Sequence, residues 1–66
     1  MKIILNSENR EVTLDATLQS AMEELSVPTK GVAVAVNNKM VPRTQWADFQ
    51  LKENDALIVI KAACGG

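Results

Sequence analysis

The sequence predicts a small α+β fold in which one helix packs on one face of a mixed sheet of four or five strands. Three observations predict it. Residues 2–14 contain two strand-like segments around a polar turn. Apolar residues then recur at helical spacing between positions 18 and 25, and apolar runs follow at 31–36 and 56–60. The order β-β-α-β-(β)-β makes the helix the crossover between a hairpin and a later strand.

The N-terminal segment is predicted to form a β-hairpin. Lys2–Leu5 is mostly apolar and β-branched, which favours a strand. Asn6–Asn9 is typical of a turn, because Asn and Ser side chains bond readily to nearby backbone groups. Arg10–Leu14 alternates polar and apolar residues, as a half-buried strand does. Two such strands around a short polar turn indicate a hairpin.

Helical periodicity follows the hairpin. The apolar residues at i, i+3, i+4 and i+7 are Leu18, Ala21, Met22 and Leu25. Together they form one face of an amphipathic helix. Asp15 or Thr17 can cap the start of this helix by accepting a backbone N–H bond. Because Pro28 disfavours a helical conformation at the residue before it, we expect the helix to stop near Ser26.

The C-terminal half is predicted to hold the remaining strands. These elements, in order, are a strand at Gly31–Val36 with apolar residues on both faces, a turn at Asn37–Asn38, a short strand at Lys39–Val41 ended by Pro42, a turn at Glu53–Asp55 and a last strand at Ala56–Ile60. Trp46 and Phe49, three residues apart, predict one irregular helical turn. We expect their rings to fill a satellite core over the sheet.

A single helix covers only one face of such a sheet, so we expect the other face to be partly open. The last strand is apolar at both parities, with Leu57 and Val59 on one side and Ile58 and Ile60 on the other. The parity that faces the helix stays open at this stage. Exposed aliphatic surface often marks a docking site, and we name Ile58 and Ile60 as docking candidates.

Composition limits the chemistry of the chain. It has 66 residues, a net charge of −1, no His and one Cys. A domain this small buries only about 60 % of its unfolded surface, which favours a carrier or binding module over an enzyme. Without His, a Ser-His or Cys-His pair cannot form, and one Cys cannot build a zinc site.

Charge and hydropathy also bear on partners and location. The balanced charge argues against a nucleic-acid partner, and the longest apolar run, residues 32–36, is too short to span a membrane. The N-terminus lacks the features of a signal peptide. A lone Cys without secretion signals fits a reducing compartment, so we predict a cytoplasmic protein.

The chain ends in the small residues Ala-Ala-Cys-Gly-Gly. We predict one domain over residues 1–66, in which residues 63–66 form a flexible C-terminal tail. Such a tail is slim enough to enter a partner's active site, and Gly66 offers an unhindered acyl carbon. The terminal carboxylate is ionised at neutral pH and is a poor electrophile. Chemistry there needs activation, for example adenylation with ATP on another protein.

With these elements in place, the sequence resembles the ThiS-type sulfur carriers of thiamine biosynthesis over essentially its whole length. The pieces that carry the resemblance are Val41–Arg43 followed by Trp46, Asn54–Asp55 before the last strand, Asn37–Asn38, and Gly65–Gly66 at the end. Their order and spacing make the match strong. The resemblance implies a β-grasp (ubiquitin-like) fold with the first and last strands adjacent and parallel.

The resemblance also implies a function. Gly66 would be adenylated by an E1-like enzyme and converted to a thiocarboxylate, which would donate sulfur to thiazole synthase. Gly65 and Cys64 are the candidate tail-recognition residues, and Arg43 is a docking candidate or the partner in a structural salt bridge. The chain itself would bind no cofactor or metal and would not be an enzyme. ATP and a sulfur source, supplied by a sulfur-donating protein, would be used by the partner enzymes.

Alternatives stay open at this point. A molybdopterin-synthase-type sulfur carrier shares the fold and the tail, but this chain is shorter than is usual there and carries the Pro-Arg-Trp spacing. A plain ubiquitin-like interaction module would have an idle tail. Cys64 would be either a small, tolerated tail residue or a thiol that traps acyl groups or forms a mixed disulfide.

Overall fold

A computed structural model describes residues 1–61 of the chain. In this range it contains five strands and one α-helix. Their bounds are β1 Lys2–Leu5, β2 Glu8–Glu11, α1 Leu18–Glu24, β3 Val32–Val36, β4 Lys39–Met40 and β5 Ala56–Lys61, with a 3-10 helical turn at Arg43–Gln45 between β4 and β5. The predicted order of elements is confirmed, and the short strand is present as β4.

The five strands form one mixed sheet in the order β2-β1-β5-β3-β4. The first and last strands, β1 and β5, are parallel neighbours, whereas the other pairs are antiparallel. The helix α1 packs on one face. The predicted fold class is therefore confirmed, and β5 occupies the centre of the sheet.

The N-terminal hairpin differs from its predicted form. Its turn has two residues, Asn6 and Ser7, with φ angles of 48° and 71°. Positive φ at both central turn residues matches the right-handed twist of the flanking strands, so β2 begins at Glu8, directly opposite Leu5. The predicted strand at residues 10–14 was therefore placed too late, and Leu14 lies outside the strand with 70 % of its surface exposed.

The helix α1 begins with a capping box. Thr17 is the N-cap: its Oγ1 accepts the Ser20 backbone N–H at 3.1 Å, and its own N–H donates to the Ser20 Oγ at 2.9 Å. The N-cap is thus Thr17 rather than Asp15. The apolar face is confirmed, since the side chains of Leu18, Ala21 and Met22 are fully buried on the face of the helix that packs on the sheet.

The helix ends in a Schellman motif. The Val27 N–H donates to the Met22 carbonyl at 2.9 Å, and the Ser26 N–H donates to the Glu23 carbonyl at 3.1 Å. Ser26 adopts a left-handed conformation, with φ at 59°. The predicted stop near Ser26 is confirmed, because the last helical residue is Glu24.

Trp46 belongs to the main core. It is 1 % exposed, and its indole N–H donates to the Val41 carbonyl at 2.9 Å. The backbone around it is bonded to the start of the helix, since the carbonyls of Trp46 and Phe49 accept the N–H groups of Gln19 and Leu18. The predicted satellite core is therefore wrong: this segment lies over the same sheet face as α1, and its rings complete one core.

The left-handed Ser26 gives the first testable prediction. A residue with a Cβ pays about 1–2 kcal/mol in this conformation, and glycine does not. We expect Ser26→Gly to raise the free energy of unfolding by about 1 kcal/mol after the added flexibility of the unfolded chain is counted. Urea denaturation followed by circular dichroism measures the change.

The matched control is Glu23→Gly, at an exposed position inside the same helix. Here the backbone is helical, so glycine should lower the free energy of unfolding by about 1 kcal/mol. Equal effects of the two substitutions would contradict the left-handed assignment of Ser26.

Candidate functional site

The candidate site begins where β5 ends. Lys61 is the last residue of β5, and the five residues that follow it carry the predicted modification site Gly66 and the predicted recognition residues Gly65 and Cys64. These three residues lie outside the described part of the chain, so their roles stay predictions. The structure shows the base from which they extend: the end of the central strand.

Asn6 supports β5 beyond the end of β1. The Asn6 backbone N–H donates to the Leu57 carbonyl at 2.9 Å, and its side-chain Oδ1 accepts the Val59 N–H, also at 2.9 Å. The side chain thus replaces the backbone carbonyl that a longer β1 would supply. The sequence predicted only a turn role for Asn6, because nothing local indicates a bond to a residue 53 positions away.

Asp55 and Asn37 hold the start of β5 against the turn between β3 and β4. The buried Asp55 carboxylate accepts the Asn37 side-chain N–H at 2.9 Å and the Lys52 backbone N–H at 2.7 Å. The Asn37 Oδ1 in turn accepts the Ala56 N–H at 3.0 Å. Both predicted turns are confirmed, but their side chains also form a network that links them.

The parity of β5 is settled by burial. Leu57 is buried in the core and Val59 packs against it, so these two residues face α1. Ile58 and Ile60 point to the opposite face, where 43 % and 50 % of their surfaces are exposed. The predicted partly open face therefore exists, and the two isoleucines lie on it.

Neighbouring strands extend this apolar surface. We call Ala33, Ala35, Met40, Ile58 and Ile60 the open-face strip. Pairing places Ala35 between Ile58 and Met40, and Ala33 beside Ile60. Ala35 is buried although it lies outside the core cluster, because its larger neighbours flank it. The sequence named only Ile58 and Ile60 as docking residues on this face; Met40, 57 % exposed, is the large side chain that it missed.

Arg43 has a structural contact. Its guanidinium carbon lies 5.0 Å from the centroid of the Trp46 ring, a cation–π distance. Trp46 packs in the core on the helix side of the sheet. The side chain of Arg43 is therefore engaged by the indole, and its role in docking stays a prediction.

Two further observations concern the described residues. Residues 1–61 contain no group of three or more His, Cys, Asp or Glu side chains that could hold a metal ion. Over the same range, no helix has the length and apolar character needed to cross a membrane.

Comparison with known proteins identifies the family. The model of the ThiS family matches residues 3–66, which is nearly the whole chain and includes the terminal glycines. The chain belongs to the ThiS family. The resemblance drawn from the sequence is therefore confirmed.

Two curated proteins are similar to this ThiS-family chain. The sulfur carrier protein ThiS of Escherichia coli (strain K12) is 29 % identical over 66 residues, which cover all of both chains. A thiazole synthase of Paramagnetospirillum magneticum is 30 % identical over the same length, which is all of this chain and 20 % of that protein. In the second case, a ThiS-like segment is one part of a longer chain.

Solved ThiS structures share the fold. The crystal structure of the thiamine biosynthesis protein ThiS from Geobacter metallireducens superposes with a TM-score of 0.87 at 20 % identity, and the match covers all of both chains. The solution structure of a thiamine biosynthesis protein from the same organism gives 0.77 and covers 88 % of that chain. The β-grasp fold implied by the resemblance is thus confirmed.

The Asp55 network gives a prediction for the base of the site. Asp55→Ala removes the acceptor for the Asn37 side chain and for the Lys52 N–H. Leaving such groups unpaired costs about 1–3 kcal/mol, so we expect the free energy of unfolding to fall by about 2–3 kcal/mol. Urea denaturation measures this loss.

Asp48→Ala is the matched control, because Asp48 is exposed and the change in charge is the same. It should alter the free energy of unfolding by less than about 0.5 kcal/mol. A loss as large as that of Asp55→Ala would show that charge, rather than the buried network, is responsible.

Proposed function

We propose that this chain is the sulfur carrier of thiazole formation in thiamine biosynthesis and that Gly66 is the residue that carries the sulfur. One observation supports this most: the family match runs over nearly the whole chain and through its last residue. The full-length similarity to the sulfur carrier protein ThiS of Escherichia coli agrees with it. As a ThiS-family carrier, the protein is a cosubstrate of other enzymes and not itself a catalyst.

The chemistry follows from the terminal carboxylate. We propose that an E1-like enzyme lets a Gly66 carboxylate oxygen attack the α-phosphorus of ATP, with release of pyrophosphate. The acyl adenylate formed has AMP as a good leaving group. A sulfide equivalent from a sulfur-donating protein then displaces AMP and gives the thiocarboxylate. ATP and sulfur are thus handled by partners, and the carrier supplies the acyl group.

Thiazole synthase is the proposed acceptor of the sulfur. The protein of that name from Paramagnetospirillum magneticum contains a segment similar to this whole chain. Joining two modules in one polypeptide raises their effective concentration for each other, which is useful when the two act together. We propose that this carrier and its synthase interact in the cytoplasm.

The open-face strip is the proposed docking surface. Its large members are exposed aliphatic side chains on a face that α1 does not cover. Because each of these side chains is only about half exposed, burying the rest against a partner is favourable by about 1 kcal/mol each.

The alternative functions are less well supported. The match to the ThiS family favours this carrier role over a molybdopterin-synthase-type carrier and over an interaction module with an idle tail.

Thiocarboxylate formation is the direct test of the function. The chain is incubated with the adenylating enzyme of the same organism, ATP and a sulfur source, and its intact mass is measured. We expect a gain that corresponds to replacing one oxygen by sulfur, located by fragmentation at Gly66. Deletion of Gly66 is the control and should abolish the gain.

Failure of the wild-type chain to gain sulfur, under conditions in which the enzyme is active, would contradict the proposed function. Sulfur on Cys64 instead of Gly66 would contradict the assigned site and would favour the thiol alternative.

Docking is tested by Ile60→Asp. A charge at this position opposes burial of the open-face strip, so we expect the dissociation constant for thiazole synthase to rise at least tenfold. Isothermal titration calorimetry measures it, and circular dichroism checks that the fold is kept.

Leu14→Asp is the matched control, since Leu14 is an exposed aliphatic residue outside the sheet. It should leave the dissociation constant unchanged. Normal binding by Ile60→Asp would show that this face does not dock the synthase.

A further inference from the structure

Beyond Leu57, β5 has no strand partner on one side in the described part of the chain. β1 pairs with β5 only at Ile4–Ala56 and Leu5–Leu57. β3, on the other side, pairs with β5 along its whole length up to Lys61. The end of the central strand is therefore held by β3 but is open toward the side where β1 has stopped.

Backbone directions identify the groups on this edge. Ala56 bonds Asn37 through both its N–H and its carbonyl, so Ala56, Ile58 and Ile60 turn their backbone groups toward β3. Val59 donates its N–H to Asn6, so Val59 and Lys61 turn theirs the opposite way. Within residues 1–61, no backbone hydrogen bond joins the Val59 carbonyl or the Lys61 N–H on that side.

An apolar groove lies beside this edge on the helix side of the sheet. It is an open groove of about 420 Å³. Its lining residues are Leu5, Asn6, Ser26, Val27, Pro28, Val32, Val59 and Lys61. Aliphatic groups form most of its wall, and Lys61 contributes a cation at its rim. An unpaired strand edge beside an apolar groove has the features of a strand-addition site.

We infer that the end of β5 binds an extended segment of the enzyme that activates Gly66, as an added strand. This inference rests on the proposed function. A parallel segment fits best, because one of its residues bonds both free groups: its N–H donates to the Val59 carbonyl, and its carbonyl accepts the Lys61 N–H. An antiparallel residue that used the Val59 carbonyl would lie opposite Val59 and would also need the Val59 N–H, which Asn6 already occupies.

The added strand would join two surfaces. Its bonding residue lies opposite Ile60, and its side chain falls on the face of the open-face strip. The residues before and after it face the groove, where an aliphatic side chain packs against Val59 and Val32. An acidic side chain near the rim would be complementary to Lys61.

Two other segments that could pair with this edge, the chain's own C-terminal residues and a second copy of the chain, fit poorly. The chain's own residues 62–66 would need a reversal within five residues, and their side chains are Ala, Ala, Cys, Gly and Gly, too small to fill a groove of about 420 Å³. A second copy would pair edge to edge and bring two Lys61 cations together over an interface of only three residues. A segment of another protein avoids both problems.

Such pairing would also position the terminus. Five extended residues span about 17 Å, so the enzyme that reacts with Gly66 must contact the chain close to Lys61. A strand paired at Lys61 sets the register of the chain that enters the active site. A wrong register would raise the carrier concentration that the enzyme needs for its half-maximal rate.

The test is a matched pair of substitutions at one position. Lys61→Pro removes the outward N–H and the charge, and proline is tolerated where the N–H faces away from the sheet. Lys61→Ala removes the charge but keeps the N–H. In ATP-dependent thiocarboxylate formation by the adenylating enzyme, we expect the KM for Lys61→Pro to be about three- to tenfold above that for Lys61→Ala, with a similar kcat.

Hydrogen exchange of the wild-type chain keeps the test independent of the stability of Lys61→Pro. On binding the adenylating enzyme, the Lys61 amide should exchange at least tenfold more slowly. The Ile60 amide, which already faces β3, serves as the internal control. Equal KM values for two folded variants, or a Lys61 amide that exchanges as fast in the complex as in the free chain, would overturn strand addition.

The outcomes separate the two proposals. If the wild-type chain gains sulfur while Lys61→Pro and Lys61→Ala behave alike, the carrier function stands and strand addition is overturned. If the wild-type chain neither binds the enzyme nor gains sulfur, the proposed function fails, and the inference fails with it.

Discussion

The hydrogen bonding of β5 between β1 and β3 is the constraint on which the rest of the structure depends. β5 is the last strand in sequence but the central strand in space, and its start is held by the buried Asp55 and by Asn37. A terminal strand at a sheet edge would detach at little cost. Because this one is central, its start is paired on both sides, and the residues that follow Lys61 begin at an end that β3 still holds.

The single helix divides the molecule into two unequal faces. Beneath α1, Trp46, Leu57 and their neighbours form one closed core, which a chain of 66 residues needs for stability. On the other face, within residues 1–61, Ile58 and Ile60 stay about half exposed. A protein this small has little volume for an enclosed site, so its proposed interaction surfaces are an exposed sheet face and a strand edge, both next to the end of β5.

Elements set by nearby residues could be predicted from the sequence, whereas features set by contacts far apart in the chain could not. The helix, the strands at Lys2–Leu5 and Ala56–Lys61, and the turn at Asn37–Asn38 were predictable, since periodicity and turn chemistry act within a few residues. The hairpin turn was predicted too long because the positive φ angles of Asn6 and Ser7 do not show in the alternation of polar and apolar residues. The satellite core was wrong because the bonds that join Trp46 and Phe49 to the helix start cross about half the chain.

The sequence by itself determined the type and order of the elements, the family, and the glycine terminus as the proposed reactive group, and it left the strand count at four or five. Each of these depends on the residue types and on their spacing along the chain. Only the tertiary structure decided that Ile58 and Ile60 face away from the helix, that Asn6 bonds Val59, and that the edge beyond it is open. These features depend on the register between strands far apart in the chain, and a shift of one residue would reverse every side chain of β5.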